Sequence, residues 1–371
     1  MSREYASSAQ ARPQKHFGAY KVPLTTLPNL VEPQVESFKW LIETGLKEVF
    51  SEFSSIKDYS GKKFELDFTG FKLQEPKYDE FYAKNNKLSY EAPLKVTVRL
   101  KNKIVGSVKE QEIFMTDFPL QTKHGTFIIS GIERVIVPQL ARSFGVFFTA
   151  DEIRGRKYFG AKIIPARGAW IEIETDADGA IYVRIDRKRK FGVTSLLRIL
   201  ARKNSLEKNS RGQDAFGEKE IFDLFKESPH AGAHLKATFA KDHAKSTDEA
   251  YVEIHKRLRD GEIGSVENAK EFINSIFEQE RYDLSKVGRF RFNKRFGKSM
   301  DEKEMDRRTI SLDDLVTIVI HVVTLNNTVD AAEDDIDHLG SRRVRFVGEL
   351  FQQKIRVGMA QIKRNVQDRM S

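Results

Sequence analysis

The chain has 371 residues and no cysteine, and its 63 lysines and arginines exceed its 54 acidic residues. This length is sufficient for two or three hydrophobic cores, while the lack of cysteine excludes disulfides, thiolate zinc sites and a cysteine nucleophile. No apolar run reaches the ~18–20 residues needed to cross a bilayer, and the polar N-terminus does not resemble a signal peptide. We therefore expect a cytoplasmic protein that does not insert into membranes. Its net charge of +9 would suit a nucleic-acid partner if the charge is clustered.

The first 140 residues predict a mixture of helix and strand. Residues 1–20 are rich in Ser, Ala and charge, which predicts a flexible tail. Apolar residues at helical spacing over 35–46 predict an amphipathic helix. Strict alternation over 94–100 predicts a half-buried strand. Shorter strands are predicted at 111–115 and 127–129.

The middle of the chain begins with a predicted β-hairpin. Apolar residues alternate over 171–185 on both sides of the turn Asp176-Ala177-Asp178-Gly179, whose residue types tolerate the positive φ angles of a tight reversal. Helices are predicted at 194–203, 248–258 and 265–277. The polar stretch 203–245 is predicted to be a flexible insertion.

Two further helices are predicted near the C-terminus. Ser311 precedes Asp313 and Asp314, acidic residues that favour a first helical turn, so 312–325 is predicted to be helical. The β-branched residues of this stretch would also suit a strand. Apolar residues at helical spacing over 355–370, interleaved with arginine and lysine, predict the last helix.

Three basic clusters, at 184–190, 289–298 and 342–345, are candidates for contact with phosphates. The alternative is that they are solvated surface charge. Phe290 and Phe292 lie inside the second cluster. In a strand, their spacing of two would place both rings on one face, so we expect them in the core rather than stacked on bases.

No catalytic constellation is complete within the chain. Asp334, Asp335, Asp337 and His338 form an acidic cluster, but their spacing matches no metal-binding loop. Pairing with the arginines at 342, 343 and 345 is an alternative role for these carboxylates. The sequence therefore predicts neither a metal site nor a catalytic residue.

Several long blocks of the sequence resemble the N-terminal part of the bacterial DNA-directed RNA polymerase beta subunit. The blocks are residues 27–42, 117–148 (including Glu133-Arg134-Val135-Ile136-Val137-Pro138-Gln139-Leu140), 163–170, 183–190, 282–289 and 334–371. They occur in the family's order and cover nearly the whole chain. Blocks of this length are far more specific than a short motif.

The resemblance implies an α+β, multidomain fold without a doubly wound sheet. In the family this region forms a discontinuous protrusion module with an inserted lobe module. We expect the protrusion at 21–140 and again at 334–371, and the lobe at 141–333. Both modules combine strands and helices.

The resemblance also implies a DNA-binding surface. In the family, the tryptophan matching Trp170 lies where it can stack on a non-template base at the downstream fork. The residues matching Arg187, Asp337, Arg342 and Arg345 belong to the same surface. Arginines bind phosphates or base edges, and an exposed indole offers base stacking. The alternative for Trp170, judged from the residues alone, is a buried aromatic side chain in a strand.

Three further residues, Arg142, Val146 and Arg356, are implied to line the active-centre side of the subunit near the RNA–DNA hybrid. One departure affects this area, because Phe144 stands where the family usually has proline. That difference puts the local turn in doubt.

Other elements of the polymerase are expected outside this chain. The family's metal-binding aspartates belong to the beta-prime subunit, so we expect no cofactor here and Mg²⁺ on beta-prime. The expected partners are DNA, the RNA–DNA hybrid, the alpha, beta-prime and omega subunits and a sigma factor, in a nucleoid-associated complex. By itself the chain is not expected to polymerise nucleotides.

Three function classes follow from the sequence. The first is a DNA-contacting part of a polymerase subunit, and the second is a module that binds transcription regulators through the lobe. The third is a metal-dependent nuclease that uses the acidic cluster. Steep salt dependence would distinguish the first from the second, and metal titration would test the third.

Overall fold

The computed structural model describes residues 28–207, 217–259, 264–279 and 281–370. Their contacts divide the chain into two compact units. Met1–Pro138 and Arg345–Ser371 form what we call the discontinuous unit, and Gln139–Val344 form the inserted unit. Both combine helices and strands, in agreement with the predicted α+β, multidomain class.

The discontinuous unit is built around an antiparallel sheet whose described strands follow sequence order. These strands are Ile56–Lys57, Phe64–Leu73, Glu91–Asn102 and Ser107–Pro119. A short hairpin follows, with strands Phe127–Ile129 and Ile132–Arg134. The helices are Glu32–Trp40, Leu46–Glu52, Glu80–Asn85 and Val347–Met370, and a π-helical turn, Leu41–Gly45, joins the first two.

The core of the discontinuous unit joins its two chain segments through aromatic rings. The Phe351 ring lies 5.6 Å from that of Phe127 and 5.9 Å from that of Phe118, measured between centroids. Gly348 permits this close approach, because a Cβ at that position would lie 2.1 Å from the Ser37 carbonyl oxygen. Burial of these apolar side chains therefore stabilises the long C-terminal helix against the first helix.

The inserted unit contains a five-stranded antiparallel sheet. In spatial order its strands are Phe191–Gly192, Ile181–Ile185, Ile171–Thr175, Arg156–Ile164 and Gly145–Ile153. Side chains of the central hairpin alternate between buried and half-buried, as expected when one face of a sheet packs on a core. Strand Gln139–Arg142, at the start of the inserted unit, pairs separately with Arg342–Arg345, the strand in which that unit ends.

Several helices of the unit pack against this sheet, and the others pack on those helices. The described helices are Val193–Glu207, Glu218–Leu224, Ala231–Lys241, Thr247–Leu258, Val266–Ile276, Ser285–Phe296, Glu302–Met305 and Leu312–Asn326, followed by the 3₁₀ turn Leu339–Ser341. Ser311 begins the last α-helix through a capping box with Asp314. That cap and the buried Ile318, Val319 and Val322 confirm the predicted helix and exclude the strand alternative.

Two predictions about elements of the inserted unit are wrong. Phe290 and Phe292 lie on the helix Ser285–Phe296 rather than on a strand. Side chains two residues apart on a helix point to different sides, so the two rings do not share a face. Phe292 is buried, whereas Phe290 is 46% exposed. The predicted insertion at 203–245 contains the ordered helices Glu218–Leu224 and Ala231–Lys241, and residues 208–216 lie outside the described part.

The boundaries of the two units differ from those of the predicted modules in one segment near the C-terminus. The segment 334–344, which we expected in the second part of the protrusion, groups with the inserted unit. The reason is local, because Asp334 hydrogen-bonds the backbone of Phe148 in the sheet. The assignment of the two units to the protrusion and lobe modules remains a prediction, and the predicted tail at 1–20 lies outside the described residues. Among the helices of the described part, none is long and apolar enough to cross a membrane.

Candidate nucleic-acid interface

A tight turn after the strand Ile181–Ile185 brings Arg187 next to Trp170. The Lys188 amide donates to the Ile185 carbonyl, and the two residues between them, Asp186 and Arg187, both have positive φ angles of 54° and 58°. This pattern is a type I′ turn, and left-handed backbone at two successive non-glycine residues is uncommon. The Asp186 amide also donates to the Trp170 carbonyl at 2.8 Å. As a result, the Arg187 guanidinium lies over the indole, 5.7 Å from its centroid.

The loop that carries Trp170 is held from its other side. Arg167 forms an antiparallel bridge with Asp283, whose amide donates to the Arg167 carbonyl at 2.9 Å. Gly168, at φ +113°, makes this close packing possible, since a Cβ there would lie 2.9 Å from the Arg281 carbonyl oxygen. The indole of Trp170 is half-buried. The alternative of a fully buried strand aromatic is therefore wrong.

The basic run 184–190 divides into residues with different surroundings. Arg184 forms an ion pair with Glu174 across the hairpin, at 2.7 Å, and the Lys190 ammonium lies 4.3 Å from the Tyr182 ring centroid. Arg187, Lys188 and Arg189 are exposed at the end of the hairpin. Of these cationic groups, Arg187 lies over the Trp170 ring, and the exposed Lys188 and Arg189 follow it in the chain and add to the local positive potential.

Asp337 and Arg342 form a second pair, with Nη2 of the arginine 2.5 Å from Oδ1 of the aspartate. Asp337 is exposed and its partner is half-buried. The backbone amides of Asp337 and His338 both donate to Asp335 Oδ1, at 2.9 and 3.1 Å, which gives this loop an Asx turn. An exposed carboxylate that orients an arginine in this way offers both an acceptor and a donor to a ligand.

The acidic cluster is already engaged by donors of the protein itself. Asp334 forms a bidentate ion pair with Arg295, with distances of 2.6 and 3.0 Å, and Asp335 accepts the two backbone bonds described above. His338 Nδ1 accepts from the Gly340 amide at 3.0 Å. Within the described ranges, no three His, Asp or Glu side chains gather as metal ligands. These contacts do not favour the nuclease hypothesis.

The residues expected on the active-centre side differ in accessibility. Arg142 is exposed at the end of its strand. Val146 is 8% exposed and packs in the core of the inserted unit, so its side chain is not available as a lining surface. Phe144, at the family's proline position, is buried with the Arg343 guanidinium 4.7 Å from its ring centroid. The turn accommodates phenylalanine in place of proline because the ring of Phe144 is buried against its neighbours.

Arg345 and Arg356 belong to the discontinuous unit. Arg345 lies 3.8 Å from the Glu349 carboxylate, one helical turn along the chain. Arg356 pairs with Glu52 at 2.9 Å and donates to the Gln352 side chain at 3.0 Å. Both arginines are half-buried, and the hydrogen bonds to Glu52 and Gln352 orient the Arg356 guanidinium.

Two arginines in the second basic cluster were not predicted as site residues. Arg295 holds Asp334, as described, and Arg291 donates to the Gly340 carbonyl at 2.7 Å. Both side chains therefore contact the loop that carries Asp337. Their spacing of four residues, which places them on one face of a helix, was visible in the sequence, but the strand assigned to this stretch obscured it.

Comparison with known proteins gives a consistent result. A family model described as RNA polymerase Rpb2, domain 2, matches residues 145–345. The chain is 43% identical over 363 residues to the DNA-directed RNA polymerase subunit beta of Chloroflexus aggregans (strain MD-66 / DSM 9485), covering 93% of this chain and 30% of that protein. It is 38% identical over 431 residues to the same subunit of Exiguobacterium sp. (strain ATCC BAA-1283 / AT1b), covering 93% and 35%. The chain thus spans about a third of the length of these curated relatives.

Proposed function

Because the chain belongs to the family described as RNA polymerase Rpb2, domain 2, we propose that it works as part of the beta subunit of a DNA-directed RNA polymerase. In this role it forms one wall of the DNA cleft and contacts the downstream, non-template DNA strand. The chemical step is phosphoryl transfer by the assembled enzyme, to which this chain contributes DNA positioning and no catalytic residue. The inserted unit corresponds to the lobe and the discontinuous unit to the protrusion.

The observation that carries this proposal is the pairing of Trp170 with Arg187. A half-buried indole is fixed in position yet retains an accessible edge, and base stacking on such a ring contributes about 1–3 kcal/mol. Arg187 lies over the same ring, and its neighbours Lys188 and Arg189 are exposed. This combination suits an unpaired base together with its flanking phosphates.

Further contacts follow from the other arginines. Arg342, oriented by Asp337, and Arg345 extend the non-template-strand surface through phosphate or base-edge contacts. The Asp337 carboxylate accepts from a base amino group. Arg142 and Arg356 lie on the active-centre side near the RNA–DNA hybrid. Val146 supports that side from the core, since its side chain is buried.

The proposal includes the rest of the assembly. The partners are the alpha, beta-prime and omega subunits, a sigma factor, DNA and the RNA–DNA hybrid, in a cytoplasmic, nucleoid-associated enzyme. Mg²⁺ belongs to beta-prime and supplies the two-metal chemistry when bound there. Asp334 and Asp335 of this chain are occupied by Arg295 and by backbone amides, an arrangement that supports structural roles for these carboxylates.

Fluorescence of Trp170 tests the proposal directly. In a Trp40→Phe background Trp170 is the sole tryptophan, since the chain has two. Titration with forked DNA should change its emission. If three cations contact phosphates, the slope of log affinity against log salt should be about −2 to −3. Arg187→Ala and Arg342→Ala should each weaken the binding.

The matched control is Trp170→Phe, which retains Trp40 of the discontinuous unit. Its emission should not respond to DNA, although binding measured by anisotropy of labelled DNA should persist in weakened form. Circular dichroism establishes that each variant is folded. If a folded Trp40→Phe protein shows neither an emission change nor salt-dependent binding, the DNA-contact proposal is wrong for this chain.

A second candidate function is the binding of a protein partner by strand addition. Ser107–Pro119 is the outermost of the described strands of its sheet, and it exposes 58% of Val108 and 58% of Phe114. An edge strand with apolar side chains can accept a strand from another protein. Binding of a partner that is insensitive to salt and is abolished by Val108→Lys would favour this function.

A further inference from the structure

A short stretch of the inserted unit follows the edge of its sheet. We call residues 333–342 the return segment. Asp334 exchanges two hydrogen bonds with Phe148, since its amide donates to the Phe148 carbonyl at 2.9 Å and its Oδ2 accepts from the Phe148 amide at 2.8 Å. Glu333 Oε2 accepts from the Ala150 amide at 3.2 Å. The start of the return segment therefore satisfies backbone groups of the outer strand Gly145–Ile153.

Two arginines on one helical face hold the return segment at two points. Arg295 forms its bidentate ion pair with Asp334 while its guanidinium lies 4.5 Å from the Phe148 ring centroid. Arg291, one turn earlier, donates to the Gly340 carbonyl at 2.7 Å and lies 5.5 Å from the Phe147 ring centroid. Each guanidinium is thus fixed by an aromatic ring as well as by its acceptor.

The two points of attachment enclose the loop that carries Asp337. Between Asp334 and Gly340 the chain makes its own Asx turn at Asp335, and Asp337 then pairs with Arg342 beyond the second attachment. A loop held at both ends loses little further conformational entropy when a ligand binds. Attachment by Arg291 and Arg295 therefore prepares Asp337 and Arg342 for binding.

We propose that Arg291 and Arg295 are positioning residues, which act on DNA binding by holding the return segment and not by contact with DNA. This inference rests on the proposed function for its ligand, but the attachment itself can be measured without DNA. A lysine at 295 would preserve the positive charge and lose the bidentate geometry. Arg295→Lys therefore separates positioning from simple charge.

A spin label reports the attachment. The chain has no cysteine, so Leu339→Cys, at a position that is 74% exposed, introduces a single labelling site within the return segment. Arg295→Lys should narrow the electron paramagnetic resonance lines of that label, because the segment gains mobility. Asp334→Asn removes the same ion pair while keeping an acceptor for the Phe148 amide, and it should have the same effect.

The matched control is Arg257→Lys, in the same unit. Arg257 also forms a half-exposed ion pair, with Glu253 at 2.8 Å, but it does not touch the return segment. The label at 339 should keep its lineshape in this variant. Unchanged mobility in both Arg295→Lys and Asp334→Asn, with thermal unfolding showing folded proteins, would overturn the proposal.

The effect on function is measured as the affinity of the unlabelled chain for forked DNA. Arg295→Lys should bind about fivefold more weakly with an unchanged salt slope, whereas Arg342→Ala should reduce the magnitude of that slope by about one. A mobile label with unchanged DNA affinity would overturn the positioning role. If the unmodified chain binds no DNA at all, the proposed function fails, and the role in DNA binding fails with it. The label result then shows only whether the segment is attached.

Discussion

Two basic stretches of the inserted unit have similar composition and opposite surroundings. At 184–190, Arg187, Lys188 and Arg189 are exposed, and Arg187 lies over the Trp170 ring. At 289–298, Arg289 is fully buried and pairs with Asp314 at 3.0 Å, and Arg295 pairs with Asp334. The first stretch ends a hairpin, where a turn directs side chains outward, and the second lies on a helix packed into the core. Basic residues in a sequence therefore indicate a nucleic-acid surface only where the fold leaves their side chains accessible, whereas a fully buried arginine such as Arg289 is structural.

The buried pair explains why the second stretch is structural. Arg289 also donates to the carbonyls of Arg307 and Thr309, at 2.6 and 2.7 Å. Burial acts to raise the pKa of Asp314, but Arg289, the Ser311 amide, Lys298 and Arg307 outweigh that effect and hold the pKa below its usual value. A buried charge that is both paired and hydrogen-bonded is stable in the core, whereas an unpaired one is strongly unfavourable.

The largest expected effect is that of removing one member of this pair. Arg289→Met should lower the free energy of unfolding by about 3–5 kcal/mol, because Asp314 loses its buried partner and keeps only the more exposed Lys298 and Arg307 as cationic neighbours. Urea denaturation followed by circular dichroism measures the change. The double variant Arg289→Met/Asp314→Leu should recover most of the loss. A loss below about 1 kcal/mol in the single variant would contradict the structural role given to the second stretch.

Arg187 should behave in the opposite way. Arg187→Ala should change the free energy of unfolding by no more than about 0.5 kcal/mol, as is usual for an exposed residue. It should weaken binding of forked DNA and reduce the magnitude of the salt slope by about one. Anisotropy of labelled DNA at several salt concentrations measures both quantities. Equal losses of stability in Arg187→Ala and Arg289→Met would remove the distinction between the two stretches.

A smaller effect concerns acid stability near Arg295. Burial and the adjacent Arg295 charge lower the pKa of His321, although Asp334 acts in the other direction. Since the folded pKa lies below the unfolded value near 6.5, the unfolded state binds the proton more readily. Stability should therefore fall as pH decreases from about 7 through the unfolded pKa, until the folded pKa is reached.

His321→Gln tests this prediction by removing the titrating group. Between about pH 7 and 5, the decline in unfolding free energy should be less steep in the variant than in the original protein. Urea denaturation at several pH values gives the comparison. An identical pH dependence in the two proteins would show that burial beside Phe148 and Arg295 does not disfavour protonation of this imidazole.

Local patterns account for the elements that were predicted correctly. The hairpin Ile171–Thr175 and Ile181–Ile185 follows from alternation and an Asp/Gly turn, with Gly179 at φ +80°. The helix predicted at 265–277 is observed as Val266–Ile276, with Ser265 as its N-cap. The strand considered for the stretch containing Phe290 and Phe292 was wrong, because it rested on their spacing of two, whereas the buried Arg289, Phe292 and Asn293 recur at helical spacing.

The sequence by itself determined the family resemblance, the α+β class and the main turns and caps. It also determined which basic and aromatic residues could contact DNA. These features depend on order along the chain and on contacts within a few residues. Tertiary structure alone decided that Arg187 lies over Trp170 while Arg289 is buried against Asp314, and that Arg291 and Arg295 hold the loop of Asp337. Those outcomes depend on pairs that are distant in sequence, because only the folded chain determines which charges meet and which remain in water.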